Sequence, residues 1–189
     1  MKKRILFAVD KSRQIYISHF TNALEKKGII CKIIDDLDIY DSDITNHKIL
    51  RWVKKPKKIE KIVSEFKPDF IFTERVSHFS SLSLKLKIPL IIFLRGNYWD
   101  EVLESKNDLN KNFEKKLEIW TKQKIAEKCF KESLIILPIC EHLEKIVKNR
   151  YPNKQVHTLY QGIDTSEWFN QDGIVLKHPC IGLIQDANI

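Results

Sequence analysis

Apolar and polar positions along the chain switch repeatedly between two periods. Residues 4–9 are wholly apolar after Arg4 and stop at Asp10, the pattern of a strand covered on both faces. Ile17, Phe20 and Leu24 then recur at helical spacing, and Gly28 follows Lys26 and Lys27 as a C-terminal stop. An apolar strand resumes over residues 29–34, so residues 4–34 read as a parallel crossover unit, whose hand is nearly always right. The acidic stretch 35–43 predicts a loop. After Pro56, Ile59, Ile62, Val63 and Phe66 form an apolar stripe with Lys57, Lys58 and Lys61 on the wet face. Pro68 and Asp69 introduce a third strand at 70–73, Leu82, Leu84 and Leu86 belong to a short helix ending before Pro89, and a fourth strand occupies 90–94.

The pattern next predicts one long helix over 108–131, with Leu109, Phe113, Leu117, Trp120, Ile125, Cys129 and Phe130 on or near one side. A strand at 134–137, a helix at 140–150, a sixth strand at 156–159 and a turn at 161–164 follow. Six strands alternating with helices predict an α/β fold, a doubly wound, mainly parallel Rossmann-like sheet. The polar segment 170–173 resembles a linker, and 180–184 resembles a strand with no helix to follow it. The expected organisation is therefore an N-terminal domain over 1–170, then a linker and the first strand of a second domain over 171–189.

Composition supports a folded chain: 43% of the 189 residues are hydrophobic and 31% charged, with only 5 Gly and 6 Pro. No stretch approaches the roughly 20 apolar residues of a spanning helix, and the basic start runs straight into a strand, so a cytoplasmic location is expected. Cys31, Cys129, Cys140 and Cys180 are far apart with no C-x-x-C pair, which predicts reduced thiols and no zinc or redox motif. Lys and Arg outnumber Asp and Glu by 33 to 25, a net charge of +8. That balance favours anionic partners, whether nucleotides, phosphorylated lipids, membrane surfaces or nucleic acid, and does not choose among them.

Several familiar chemistries lack their residues. The turn after the first strand is Asp10, Lys11, Ser12, Arg13, without the glycines that let a backbone approach a pyrophosphate, and no phosphate-binding G-x-x-x-x-G-K-[ST] loop occurs. Asp36 and Asp38 match the D-x-D of metal-dependent sugar transferases of another architecture, but their place at the end of the second strand favours a solvated acidic loop. A phosphoacceptor regulator would want an aspartate ending the third strand, where Thr73, Glu74 and Arg75 stand. The six histidines form no H-x-x-x-H or H-E-x-x-H pattern, no G-x-S-x-G elbow is present, and Ser77, Ser80 and Ser81 suit a helix start. No metal site is expected.

Three ordered segments between residues 67 and 164 resemble the N-terminal domain of GT-B glycosyltransferases, family 4 in particular, a resemblance whose order of strands and helices covers nearly the whole chain. The first is KPDFIF at 67–72 with KIPLIIFLRG at 87–96, where Arg95 stands in place of the family's histidine. The second is SLIILPICEHL at 133–143, with Cys140 replacing a serine. The third is Tyr151 and Pro152, then the strand at 156–159 and the turn Tyr160, Gln161, Gly162, Ile163, Asp164, with Gln161 departing from the usual asparagine.

The resemblance implies the acceptor-binding half of a nucleotide-sugar-dependent, retaining hexosyltransferase, inactive without its C-terminal half. The acceptor, a sugar or a lipid-linked sugar, would lie at the carboxyl ends of the strands, where Asp10, Lys11, Ser12, Glu74, Arg75, Arg95, Gly96 and Asn97 sit. Arg95 is open to a phosphate or acidic sugar, or to an ion pair with Asp100 or Glu101. Gly96 suits close approach to sugar or a tight bend, and Tyr98 and Trp99 suit sugar stacking or internal packing. Gly162 and Asp164 would shape the domain junction. This chain alone would bind no cofactor, the nucleotide-sugar donor belonging to the complete enzyme and the missing donor-binding domain or subunit. The basic faces over 54–61 and 111–128 suit either an anionic membrane surface or solvent, and no nucleic acid is expected. No catalytic residue is assigned. The alternative is a non-catalytic basic α/β module that binds nucleotide, anionic lipid or nucleic acid.

Overall fold

A computed structural model of the chain describes residues 2–40, 48–107 and 113–162. Five strands, β1 (Arg4–Ala8), β2 (Ile30–Ile34), β3 (Phe70–Glu74), β4 (Leu90–Leu94) and β5 (Ile135–Pro138), form one wholly parallel sheet in the order β2-β1-β3-β4-β5. This is the flavodoxin-like order of doubly wound sheets, in which strand placement reverses direction between β1 and β3. The described helices are α1 (Gln14–Lys26), α2 (Asp36–Ile39), α3 (Lys48–Val53), α4 (Lys57–Phe66), α5 (His78–Leu86), α6 (Tyr98–Asn107), α7 (Phe113–Glu132) and α8 (Glu141–Arg150).

Crossover handedness distributes these helices over the two faces. The step from β1 to β2 runs one way and the later steps run the other, so α1 lies on one face while α4, α5 and α7 lie on the opposite one. The side-chain alternation of each strand feeds both layers. Phe7, Val9, Phe72 and Phe93 meet Ile17, Phe20 and Leu24 of α1. Leu6, Ala8 and Ile71 meet Ile59, Phe79 and Leu82. Leu90, Ile92 and Leu94 join Ala126, Cys129 and Phe130. Phe130 is fully buried, and truncating it to alanine is expected to cost about 3–5 kcal/mol.

Three expectations need correction. The acidic stretch does not begin as a loop: Asp35 accepts from the amides of Leu37 (2.7 Å) and Asp38 (3.3 Å), while Asp38 accepts from the Asp35 amide (2.8 Å). This reciprocal cap starts α2. The helix expected over 108–131 is present as α7 from residue 113, residues 108–112 lying outside the described ones, and it is preceded by a helix the pattern did not predict, α6, which Asn97 caps by accepting from the Trp99 amide at 3.2 Å. The apolar set on α7 is also not one face, because about 100° per residue carries Cys129 roughly 160° around from Phe113. Finally, residues 156–159 do not form a sixth regular strand but a single parallel bridge between Ile136 and Val156. Ile136 donates to Gln155 at 3.0 Å and Leu159 donates to Pro138 at 2.8 Å. Pro138 has no N–H to return the next bond, so the ladder stops there.

Among the described residues, no helix is long and apolar enough to cross a membrane. Cys31, Cys129 and Cys140 are free thiols. Asp164, Cys180 and the expected linker and second-domain strand lie outside the described residues.

Candidate functional site

The carboxyl ends of β1, β3 and β4 converge where strand placement reverses, the usual position of a ligand crevice in open α/β sheets. Glu74 ends β3 with only 6% of its side chain exposed, and Arg95, just beyond β4, donates to it. Register explains the pairing. Glu74 sits beside Phe93 in the parallel ladder, and Arg95 is two residues further on, on the same face. The Arg95 guanidinium also lies 6.0 Å from the Tyr16 ring on α1.

One of the expected partners of Arg95 is engaged elsewhere. Asp100 accepts from the Asn97 side chain at 2.6 Å. Glu101 lies over Gly96, where a Cβ would come 2.9 Å from its carboxylate oxygen. Gly96 therefore makes room for Glu101, and Asn97 works as a helix cap. Arg75 follows Glu74 with a left-handed φ of 75°, uncommon for a residue with a side chain, and its amide donates to Phe93 at 2.7 Å. Its side chain is exposed at the sheet edge. Asp10, Lys11 and Ser12 are exposed around the single tight turn between β1 and α1, in which Arg13 donates to the Asp10 carbonyl at 2.8 Å.

Tyr98 and Trp99 are internal. Trp99 stacks on Phe130 at 4.9 Å, donates to Glu127 at 3.3 Å and carries Arg150 4.7 Å from its ring, while Tyr98 meets Phe130 edge-on at 5.4 Å. Their faces are occupied, so they offer no sugar platform.

A cavity of about 820 Å³ opens beside α1. Phe72 and Phe93 form its floor, Tyr16, His19, Phe20 and Asn22 one wall, and Glu74 with Tyr160, Gln161 and Gly162 its rim. Glu74 and Gly162 thus meet at one opening, with Arg95 reaching it through Glu74. Tyr16, His19 and Asn22 are residues that motif reasoning did not single out. The available signal was an apolar arc on α1 wider than one sheet contact needs: Tyr16 neighbours buried Ile17 yet is 54% exposed.

Of the D-x-D pair, Asp38 is exposed at the α2 cap, while Asp36 belongs to a different, half-buried arrangement. Asp36 Oδ1 lies 2.6 Å from His78 Nε2, its other oxygen pairs with Arg51, and the Tyr40 hydroxyl donates to the Arg51 carbonyl at 3.1 Å. Burial alone would raise the Asp36 carboxyl, but the His78 and Arg51 interactions outweigh it and hold the group below its usual range. Burial pushes the Tyr40 hydroxyl up, reinforced by the Asp36 charge. These residues tie the end of β2 to the start of α5.

No family model matches the chain, and no curated protein matches it. Among solved structures, a UDP-rhamnose synthase from Acanthamoeba polyphaga mimivirus is similar at 11% identity and a TM-score of 0.34. The likeness covers 71% of this chain, which spans 56% of the length of that protein.

Proposed function

We propose that this domain is the acceptor-binding half of a nucleotide-sugar-dependent, retaining glycosyltransferase of GT-B type. The observation that carries the reading is the cavity beside α1 with Glu74 on its rim and Arg95 paired behind it. Fold alone supports no function. The opening suits a sugar because aromatic rings at Tyr16, Phe20 and Tyr160 stand beside polar groups at His19, Asn22 and Gln161. Sugar rings present apolar C–H faces and a fringe of hydroxyls, and such a lining can satisfy both.

Glu74 would accept from a sugar hydroxyl, while Arg95 would hold that carboxylate in place and extend its fork of donors toward an anionic substituent. Gly162 leaves the rim open, with nothing within 4 Å of where a Cβ would stand. The ordered resemblance of segments 67–96, 133–143 and 151–164 supports the same assignment. The turn after β1 lacks the glycines of a diphosphate cradle, which agrees with a donor bound by a further domain.

The test is binding by the purified chain, followed by saturation-transfer NMR and calorimetry against a panel of sugars and nucleotide diphosphate sugars. Acceptor-type sugars are expected to bind near the millimolar range, about −4 kcal/mol. Arg95→Met and Glu74→Gln should weaken that binding, and no transfer should occur without a donor-binding partner. Turnover by the chain alone would overturn the proposal. So would strong, salt-sensitive nucleic-acid binding with no response to sugars.

A further inference from the structure

Helix α7 is much longer than the sheet it covers. Its 20 residues span about 30 Å at the α-helical rise. The five-residue strands run about 17 Å. Its buried residues, Ala126, Cys129 and Phe130, all belong to the C-terminal half. Since α7 returns the chain from the end of β4 to the start of β5, its N-terminal half projects past the carboxyl edge of the sheet.

That projecting half carries Phe113, Leu117 and Trp120, which are 79%, 51% and 55% exposed. Their spacing of four and three residues puts them on one meridian. The same meridian continues through Lys124, Lys128 and Lys131, all exposed. The Lys124 ammonium lies 5.7 Å from the Trp120 ring, and Lys128 reaches Glu132 at 3.7 Å with both side chains more than half exposed. A recess of about 220 Å³ between α6 and α7, lined by Trp120, Ile119 and the side chains of Lys106 and Lys116, adjoins the stripe.

We propose that this meridian is a membrane-contact surface. Phe113, Leu117 and Trp120 enter the headgroup region of an anionic phospholipid bilayer, while Lys124, Lys128 and Lys131 meet lipid phosphates. Charge complementarity selects this occupant. The six stripe positions carry no carboxylate, and Glu127, close to the same meridian, is held by Trp99 and Tyr151, so a second copy packed on the same face would offer the lysines no uncommitted acidic partner from the stripe. An anionic headgroup layer answers both halves of the stripe, because aromatic rings favour the interface and lysine stems lie along apolar surface with their heads in the polar zone. Seated this way, the helix brings the carboxyl edge of the sheet, and the cavity rim with it, toward the bilayer. The inference rests on the exposed stripe and holds whatever the cavity binds.

The experiment is flotation of the full chain with phosphatidylcholine vesicles, with and without phosphatidylglycerol, at low and high salt. Binding is expected only with phosphatidylglycerol and should weaken with salt. Replacing Lys124, Lys128 and Lys131 with Gln should lower affinity about a hundredfold, from the contribution of each cation near an anionic surface. The triple change Phe113→Ser, Leu117→Ser, Trp120→Ser should abolish flotation without altering the urea midpoint, because these side chains lie outside the core. A blue shift of emission on vesicle addition should diminish in Trp120→Phe, which keeps binding. Failure of the unaltered chain to float with phosphatidylglycerol would overturn the proposal. Undiminished flotation of both triple variants would also overturn it. So would a serine variant that converts a dimer to a monomer in light scattering yet floats as before.

Discussion

Replacing Arg95 with methionine removes a guanidinium while keeping an unbranched apolar stem beside Tyr16. The variant leaves Glu74, whose side chain is only 6% exposed, without its cation. Removing one partner of a buried pair costs about 3–5 kcal/mol. Arg95 itself is 27% exposed, so water reaches one side of the pair and places the expected loss near the lower end, about 3 kcal/mol. Glu74→Gln keeps an acceptor for the guanidinium and should cost about 1 kcal/mol. The double variant leaves no orphaned charge, so it should lose only about 1–2 kcal/mol, well below the sum of the singles. Urea unfolding of the four proteins, with equal slopes, closes this cycle. Additivity within about 0.5 kcal/mol would refute the claim that the two side chains form one buried unit.

Three further outcomes follow from the same structure. Thr73 and Ser80 share a fully buried hydroxyl contact at 2.9 Å, and Ser80 also accepts from the Ser77 amide at 3.2 Å. Ser80→Ala should therefore cost about 1–3 kcal/mol in urea unfolding, partly restored by adding Thr73→Val. Lys148 and then Thr158 hold the Glu144 carboxyl down to about 2, against an ordinary 4.5. A depressed carboxylate stabilises the fold above its ordinary range and loses that contribution as pH falls from about 4.5 through about 2. The NMR shift of the Thr158 amide, which donates to Glu144 at 2.9 Å, should titrate near 2, and a midpoint at 4.5 would contradict the contact. Burial, helped by Glu132, pushes the Cys129 thiol up to about 12. At mildly alkaline pH it should resist a disulfide reagent until urea unfolds the protein, and native labelling as fast as Cys140 would show the core to be open.

Most of the sheet was legible because its strands are short apolar runs bounded by charge, proline or glycine, as at residues 4–9 and 90–94. The failures have specific causes. The cap that starts α2 is built from two aspartates, which composition alone reads as loop. Residues 156–159 have strand composition, but the ladder fails at a proline on the neighbouring strand. Helix α7 is apolar on opposite sides in its two halves, so a tally of hydrophobic positions merged an exposed stripe with a buried one. At the site, edge positions such as Glu74 and Arg95 followed from topology. Their pairing required the β3–β4 register, and the cavity wall on α1 required knowing which helix faces the sheet alone among the described elements on that side.

Among the five described strands, the earliest in the chain lies in the middle of the sheet. β1 pairs with β2 on one side and with β3 on the other, while the Arg4 guanidinium donates to Phe66 at 2.9 Å and its amide to Asp69 at 2.8 Å. During synthesis at roughly 5–20 residues per second, the nascent chain holds one flank of β1 unpaired for seconds before residues 66–74 emerge to cover it. The unit of β1, α1 and β2 can close meanwhile, leaving an exposed strand edge of the kind that recruits other chains. A change in or beside β1 therefore acts on the centre of the sheet, where β3 must dock, and not on its margin.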